Sequence, residues 1–256
     1  MLGMELTILG SGTAVPSPRR AAPGYLLRVG RDLVVLDTGP GTMGRLLQHG
    51  VSPHEVSHIL YSHTHLDHMG ELPSWLFAGR IPEAGRTSPL TICGSAGFMR
   101  VLDSLRGTFG HWLDAQTYRL DLVTLDGAGS STAVFSGWSV RAARVSHIES
   151  SLAYRIEDAS GRSLVYSGDT DVCEGIVDLA RDADLLLIEA SFPDDRKVDG
   201  HLTPGEAGEI ARRARARKVA LTHFYPACEG VDMLGSARSR FDGETVMAED
   251  GMKIDI

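Results

Sequence analysis

The amino-acid sequence predicts one α/β domain in which short buried strands alternate with helices. The chain has 256 residues, of which 43% are hydrophobic and 23% charged, an ordinary composition for a globular protein that can bury a large core. Apolar runs that end in glycine-containing turns recur between segments whose apolar residues have helical spacing. The second half of the chain repeats the rhythm of the first without repeating its sequence. We therefore expect a single domain that covers residues 1–256.

The first half begins with alternating apolar and polar residues that predict a strand ending in a glycine loop. Gly30 and Arg31 separate two further apolar runs, a spacing typical of a tight hairpin. Gly50 follows a helical pattern and is expected to end that helix. The predicted strands cover residues 4–9, 24–29, 32–37, 59–61, 89–93 and 118–124. The predicted helices cover residues 42–48, 71–78 and 96–105.

The second half contains a predicted hairpin, two helices and several further strands. Gly161 marks the turn between strands at 152–157 and 163–167. Thr203 and Glu206 have the spacing of a capping box at the start of a helix. Other strands are expected within 134–145, at 184–189 and 218–222, around residue 246, and at 253–256. The two helices are expected at 172–182 and 203–216.

Four potential metal ligands lie within six residues directly after the apolar run 59–61. They are His63, His65, Asp67 and His68. Imidazole and carboxylate are common ligands of zinc and neighbouring metals, and burying such groups without a partner is costly. Residues in an extended segment point alternately to opposite sides, so His63 and His65 are expected to project together. A solvated histidine-rich loop or tag is the alternative, but the apolar strand before the cluster favours a metal site.

Further ligand-type residues follow later strands or precede a helix. They are His147, Asp169, His201 and His223. A closed structural site needs only four ligands, so this larger set favours two metal ions in an open, catalytic site. The remaining histidines before the cluster, His49, His54 and His58, are expected at the surface. His111 and Trp112 are assigned no chemistry.

Composition excludes some functions. The net charge of −8 provides no overall attraction for nucleic acid or anionic membranes. Neither a membrane-length apolar run nor a leader pattern is present, so we expect a cytoplasmic protein without membrane partners. The three cysteines form no CxxC pair and are expected to be reduced packing residues. The basic residues of 212–218 are interpreted as a solvated helix face.

The order H-x-H-x-D-H, a single His, an Asp after Ser-Gly and a final His after an apolar strand resembles the metallo-β-lactamase superfamily. Within it, the chain most resembles the ribonuclease Z branch. The matching stretches are LTILGSGTAVP (6–16), LDTGPGT (36–42), SHTHLDHMGELP (62–73), SGDT (167–170), HLTPGEAGEIA (201–211) and LTHF (221–224). The resemblance implies a four-layer αββα sandwich with a dinuclear site between the sheet edges.

The resemblance also implies roles for individual residues. One metal ion would be bound by His63, His65 and His147. The other would be bound by Asp67, His68 and His223, with Asp169 bridging the two. Asp67 would also hold the attacking water and accept its proton, while His201 would act as an acid or oxyanion partner oriented by Glu206. The cofactors would be two divalent ions; zinc is favoured, and Mn²⁺ or Fe²⁺ would also fit. A homodimer is expected from the resemblance alone.

The sequence differs from that of tRNA-processing enzymes in ways that decide which function we expect. Only 21 residues separate His147 from Asp169, enough for a hairpin but not for the arm that grips tRNA in such enzymes. Pro40, Met43 and Leu66 replace residues usual in that group. We therefore expect a phosphodiesterase that uses a metal-bound hydroxide on small or short phosphodiester substrates. The alternatives are a lactone, thioester or sulfate-ester hydrolase and, less favoured, a tRNA 3′ processing endonuclease or a non-catalytic metal-binding effector.

Overall fold

The structure, a computed structural model, describes residues 3–81, 85–127 and 131–256. Within these residues the apolar runs form two seven-stranded sheets. The first sheet contains β1 (Glu5–Gly10), β2 (Gly24–Val29), β3 (Asp32–Thr38), β4 (His58–Leu60), β5 (Leu90–Gly94), β6 (Leu120–Thr124) and β14 (Lys253–Asp255). The second contains β7 (Thr132–Phe135), β8 (Trp138–Arg144), β9 (Leu152–Asp158), β10 (Ser163–Tyr166), β11 (Leu185–Glu189), β12 (Lys218–Thr222) and β13 (Glu244–Met247).

Each sheet combines an antiparallel half with a parallel half. The first has the order β14-β1-β2-β3-β4-β5-β6, and its strands β3 to β6 are parallel. The second has the order β13-β12-β11-β10-β9-β8-β7, and its strands β10 to β13 are parallel. The two halves of the chain therefore repeat one arrangement, in agreement with the rhythm of the sequence.

Helices cover the outer face of each sheet. They are α1 (Thr42–Gln48), α2 (Leu66–Met69), α3 (Leu72–Gly79), α4 (Ala96–Phe109), α5 (Glu174–Leu179), α6 (Pro204–Ala214) and α7 (Met233–Arg238). Apolar residues of α1, α3 and α4 share a core with the first sheet, and those of α5, α6 and α7 share one with the second. A third core lies between the sheets. The predicted four-layer αββα sandwich is confirmed.

Strand β11 shows how one sequence serves two cores. All five of its residues are buried, as expected for a parallel strand covered on both faces. Leu185 and Leu187 point into the core between the sheets, whereas Leu186 and Ile188 pack beneath the helices. Because side chains alternate along a strand, a continuous apolar run fills both layers at once.

Some predicted elements differ from those in the structure. Helix α4 continues four residues past its predicted end, to Phe109, and Gly110 with a φ of 60° follows it. Helix α5 is shorter than the predicted 172–182 at both ends, and Asp171, just before the predicted start, forms a β-bridge with Ser146. Helix α7 was not predicted; it has only six residues and is capped by the Asp232 side chain, too short for a clear apolar period.

The prediction that His58 lies at the surface is wrong. The residue is only 8% exposed, and its ring lies 4.5 Å from that of Phe135 and 5.0 Å from that of Trp138. It belongs to β4, an interior strand of the first sheet, where both faces are covered. Ser57 Oγ lies 2.9 Å from its Nδ1 and satisfies the ring in this setting.

The cysteines are free thiols, as expected, and Cys93 and Cys228 are buried. Burial raises the pKa of Cys93 to about 12, so this thiol stays protonated. In the part of the chain that the structure describes, no helix has the length and apolar character that crossing a membrane would require.

The central packing of β11 predicts a large and local stability effect. Leu187→Ala should lower the free energy of unfolding by about 2–5 kcal/mol, since a fully buried leucine leaves a cavity. Leu47→Ala, at a helix position that is 61% exposed, should change it by less than about 0.5 kcal/mol. Equilibrium urea unfolding measures both. Equal effects for the two variants would contradict the assignment of Leu187 to the core.

Candidate metal centre

The predicted ligands meet at one edge of the sandwich, where strands of both sheets end. Strands β4, β8, β10 and β12 lead into segments that carry His63 and His65, His147, Asp169, and His223 respectively. The one-turn helix α2 carries Asp67 and His68. Sites at the carboxyl ends of parallel strands are common in α/β proteins because loops there converge. The structure thus brings all seven predicted ligands together.

One group of donor atoms, the first donor group, consists of His63, His65, His147 and Asp169. Its ligand atoms all lie within 4.8 Å of one another. His65 Nδ1 lies 3.0 Å from His63 Nε2 and 3.1 Å from His147 Nε2. Asp169 Oδ2 lies 3.7 Å and 3.9 Å from the same two Nε2 atoms. Three ring nitrogens and one carboxylate oxygen therefore surround a common point.

The second donor group consists of Asp67, His68, His223 and the other oxygen of Asp169. His68 Nε2 and His223 Nε2 are 3.2 Å apart. Asp67 Oδ2 lies 3.8 Å and 3.5 Å from them. Asp169 Oδ1 lies 3.3 Å from the first and 3.5 Å from the second. Asp169 thus presents one oxygen to each group, the arrangement expected of a bridging ligand.

These separations fit metal coordination. Four ligands placed tetrahedrally at about 2.0–2.2 Å from an ion lie about 3.3–3.6 Å from one another. The individual separations given above, 3.0 Å to 3.9 Å, bracket that range. Asp169 Oδ1 is buried and has no hydrogen-bond partner among the described residues, a costly state that a bound cation would relieve. The donor set therefore fits two divalent metal ions.

Outer hydrogen bonds fix which nitrogen of each ring faces the centre. His147 Nδ1 donates to the carbonyl of Gly200 over 2.8 Å, which leaves Nε2 with its lone pair in the neutral ring. His68 Nδ1 lies 2.8 Å from Asp37 Oδ2 and is fixed in the same way. The Nδ1 atom of His223 lies 2.9 Å from Ser191 Oγ. Such partners orient metal-binding histidines and favour their ligand form.

Asp37 supports both groups and was missed as a site residue by the sequence analysis, which placed it only at the end of a strand. Its carboxylate accepts hydrogen bonds from Ser62 N, Ser62 Oγ, His68 Nδ1 and Tyr166 Oη at 2.6–2.8 Å. Ser62 Oγ in turn lies 3.0 Å from His63 Nδ1. Asp37 has a φ of 57°, a conformation that Asp tolerates better than most residues. The sequence signal that could have identified Asp37 as a site residue is its position between a buried strand and a glycine turn.

The protonation states of His63 and Asp169 suit metal binding. Burial, together with the neighbouring His68, holds the pKa of His63 well below its usual value, so this ring is neutral. Burial opposes ionisation of Asp169, but the neighbouring His223 and His68 outweigh it and hold the pKa of this carboxyl well below its usual value. Neutral imidazole and ionised carboxylate are the forms that bind metals.

His201 lies beside both groups. Its Nδ1 is 3.9 Å from Asp169 Oδ2 and 3.2 Å from Glu189 Oε2. Glu189 is buried at the end of β11, and burial raises the pKa of its carboxyl. Although burial acts to lower it, the hydrogen bond with Glu189 raises the pKa of His201 above its usual value. His201 was predicted from the sequence, but Glu189 was not, because it is the last residue of an apolar strand.

The expected orientation of His201 by Glu206 is wrong. Glu206 Oε2 accepts hydrogen bonds from Thr203 N over 2.9 Å and Lys197 Nζ over 2.6 Å. The predicted capping box is therefore confirmed, and it occupies this carboxylate. His201 precedes α6, whose first residue is Pro204, so a spacing of one helical turn does not relate the two side chains. Glu189 takes the place expected for Glu206.

His111 and Trp112, to which no chemistry was assigned, lie in a 3₁₀ turn after α4. The Arg80 guanidinium donates to the His111 carbonyl over 2.6 Å and lies 4.9 Å from the centre of the Trp112 ring. These contacts are packing interactions of a loop.

Comparison with known proteins agrees with this fold. Residues 33–224 match the family model described as the Beta-lactamase superfamily domain. An uncharacterized protein of Mycobacterium tuberculosis is 33% identical over 95% of this chain and 89% of its own length. The ribonuclease Z of Thermobifida fusca is 31% identical over 98% of this chain and 94% of its own. The crystal structure of the metallo-β-lactamase fold protein YhfI from Bacillus subtilis superimposes with a TM-score of 0.86 at 23% identity, covering 99% of this chain and 100% of that one.

The hydrogen bonds that Asp37 accepts predict that a substitution of this residue weakens metal binding. Asp37→Asn keeps the backbone conformation but replaces an acceptor oxygen with an amide group. It should lower Zn²⁺ affinity about 10- to 100-fold, the usual cost of losing such an orienting partner. The affinity is measured by competition with a chromophoric chelator, starting from metal-free protein.

Asp32→Asn is the matched control. Asp32 lies at the other end of β3 and accepts hydrogen bonds from Trp138 Nε1 and Ser57 Oγ at 2.8 Å and 3.0 Å. Its substitution should leave Zn²⁺ affinity unchanged. An unchanged affinity in Asp37→Asn would show that the Asp37 carboxylate does not orient the ligands.

Proposed function

Because this chain belongs to the metallo-β-lactamase superfamily and has ribonuclease Z proteins among its relatives, we propose that it is a dinuclear metal-dependent phosphodiesterase. Its substrates would be small or short phosphodiesters. The first donor group would hold one metal ion and the second the other, with Asp169 bridging them. When bound, such a pair of ions polarises a phosphoryl oxygen and lowers the pKa of a water molecule.

Asp67 is suited to handle the proton of the attacking water. Its Oδ2 lies 3.5 Å from His223 Nε2, at the border of the second donor group, and the residue is 9% exposed. The His223 hydrogen bond and the charges of His68 and His223 lower the pKa of the carboxyl, although burial opposes them. Asp67 is therefore ionised at neutral pH and can orient a water molecule and accept its proton at a carboxylate oxygen.

The observation that carries the proposal is the pairing of His201 with Glu189 beside the bridging carboxylate. Glu189 engages Nδ1 of the ring, while Nε2 has no hydrogen-bond partner among the described residues. Because Glu189 favours the protonated ring, His201 can hold a proton at Nε2 and donate it to a leaving oxygen. Alkoxide leaving groups of phosphodiesters need such a proton, whereas the thiolate of a thioester leaves without one, and this favours phosphodiester over thioester cleavage.

A small substrate is supported by the segment between His147 and Asp169. It forms the compact hairpin of β9 and β10, which leaves no residues there for an arm that could embrace tRNA. The basic segment 212–218 does not supply a nucleic-acid surface either, since its cations are paired. The pairs are Arg212–Glu209, Arg213–Glu174, Arg215–Asp182, Arg217–Asp184 and Lys218–Glu244, at 2.6–2.9 Å.

Zinc is the proposed metal because the donor set consists of imidazoles and carboxylates in near-tetrahedral spacing. The same ligands accept Mn²⁺ or Fe²⁺. Metal analysis of the purified protein by mass spectrometry identifies the ion, and two equivalents per chain are expected.

A substrate panel tests the activity. The metal-loaded protein should hydrolyse bis(p-nitrophenyl) phosphate or cyclic nucleotides, and His65→Ala should lower kcat/KM by more than about 100-fold because it removes a ligand. His49→Ala, a histidine at the end of α1, is the control and should retain activity. The panel includes a lactone, a thioester, a sulfate ester and a tRNA precursor. Inactivity on phosphodiesters with both metal ions bound, or preference for one of these four substrates, would contradict the proposal.

The role of the Glu189–His201 pair is tested with two leaving groups. Glu189→Gln should lower kcat/KM by about 10²–10⁴-fold for an alkyl phosphodiester, whose alkoxide needs a proton. The loss should be much smaller for a p-nitrophenyl ester, because nitrophenolate leaves without one. Glu209→Gln, at an exposed position of α6 paired with Arg212, is the control. Equal losses for both substrates would mean that Glu189 acts only on structure.

A further inference from the structure

We propose that Lys197, Asp171 and Glu206 form an ionic clamp, called here the Lys197 clamp, that positions His147 and thereby sets the metal affinity of the first donor group. These three residues are positioning residues, since none of them belongs to either donor group. The clamp depends on the metal binding proposed above but not on the identity of the substrate.

Lys197 is the centre of the clamp. Its Nζ lies 2.8 Å from Asp171 Oδ1 and 2.6 Å from Glu206 Oε2. The lysine side chain is 28% exposed, and those of Asp171 and Glu206 are 27% and 33% exposed, so all three are partly withdrawn from water. One ammonium group therefore holds two carboxylates that would otherwise repel each other at short range.

Asp171 connects this ammonium to the loops of the site. Its Oδ2 accepts a hydrogen bond from Gly200 N over 2.9 Å, and its own amide donates to the Ser146 carbonyl over 2.7 Å. Ser146 precedes His147, and Asp171 follows Asp169 by two residues. Asp171 thus joins the segments after β8, β10 and β11: its amide bonds the first, and its carboxylate bonds the last.

Gly200 connects the Lys197 clamp to His147, a predicted metal ligand. Its carbonyl accepts the hydrogen bond of His147 Nδ1 over 2.8 Å, and its amide is held by Asp171. Its φ is 85°, a conformation that favours glycine, and a Cβ atom here would lie 3.1 Å from His147 Nδ1. The backbone of Gly200 is therefore placed against the imidazole of His147. A shift of this loop would change the direction in which His147 Nε2 points.

The clamp acts on one donor group. His68 is oriented by Asp37 at the end of β3, and His223 by Ser191, which lies two residues after β11 and six before Lys197. Neither Asp37 nor Ser191 contacts the Lys197 side chain, whose hydrogen-bond partners among the described residues are Asp171 and Glu206. Loss of the ammonium should therefore weaken the first metal position and spare the second. An ion pair that only stabilised the fold would not discriminate between the two metal positions, and partly exposed pairs contribute little to stability in any case.

The experiment is a metal titration of Lys197→Met. Metal-free protein is titrated with Zn²⁺ in competition with a chromophoric chelator, and two binding steps are expected for the unmodified chain. In Lys197→Met, one step should weaken about tenfold, at the lower end of the range for orienting partners, while the other is unchanged. His147→Ala and His223→Ala, which each delete one ligand, identify the steps; the weakened step should be the one that His147→Ala removes.

Lys218→Met is the matched control. Lys218 pairs with Glu244 at 2.8 Å and has 26% side-chain exposure, but it lies at the start of β12, opposite the end that leads to His223. It should retain both binding steps. Lys197→Arg should also retain them, because a guanidinium can bridge two carboxylates. If Lys197→Met does not fold, Asp171→Asn, which keeps the side-chain shape, tests the same contact.

Several outcomes would overturn the clamp. Two unchanged steps in Lys197→Met, or equal weakening of both, would show that Lys197 does not position His147 selectively. Weakening accompanied by a lower melting temperature of the metal-free protein, relative to Lys218→Met, would assign Lys197 a general structural role instead. Because the readout is metal affinity, an inactive protein that binds two ions as described would contradict the phosphodiesterase proposal and leave the clamp intact.

Discussion

The carboxylate of Asp169 is the constraint on which the arrangement of the site depends. It is buried, it faces five histidines at 3.3–3.9 Å, and its two oxygens are divided between the two donor groups. A buried charge is tolerated only where opposite charge or strong hydrogen bonds compensate it. In the protein as described, one oxygen has no hydrogen-bond partner. The surrounding loops are arranged so that bound cations can compensate the part of this buried charge that the protein's own hydrogen-bond donors do not.

Each sheet contributes an outer layer of hydrogen bonds to this centre. The first sheet supplies Asp37, which holds Ser62 and His68. The second supplies Glu189 and the loop after β11, which hold His201, His223 and, through Gly200, His147. The centre can form only when the two sheets pack correctly against each other, because the core between them sets the distance between these two sets of partners. Stability of the sandwich and geometry of the site are therefore linked.

The residues that sequence reasoning missed share one property: their partners are distant in the chain. Glu189 and Glu206 are both acidic residues near His201, and the sequence favoured Glu206 because of its motif spacing. The fold instead places Glu189 at the end of a strand that faces the ring, while Glu206 caps its own helix. His58 shows the same limit, since its burial depends on Phe135 and Trp138 of the other sheet.

The sequence by itself determined the strands, most of the helices, the repeated arrangement of the two halves and the seven candidate ligands, because these follow from local periodicity and from dense ligand-type residues. Only the tertiary structure decided how the oxygens of Asp169 are shared, which carboxylate holds His201 and which two carboxylates pair with Lys197. Those features depend on distances between segments far apart in sequence. A local sequence pattern does not determine such distances, since they are set by how the two sheets pack.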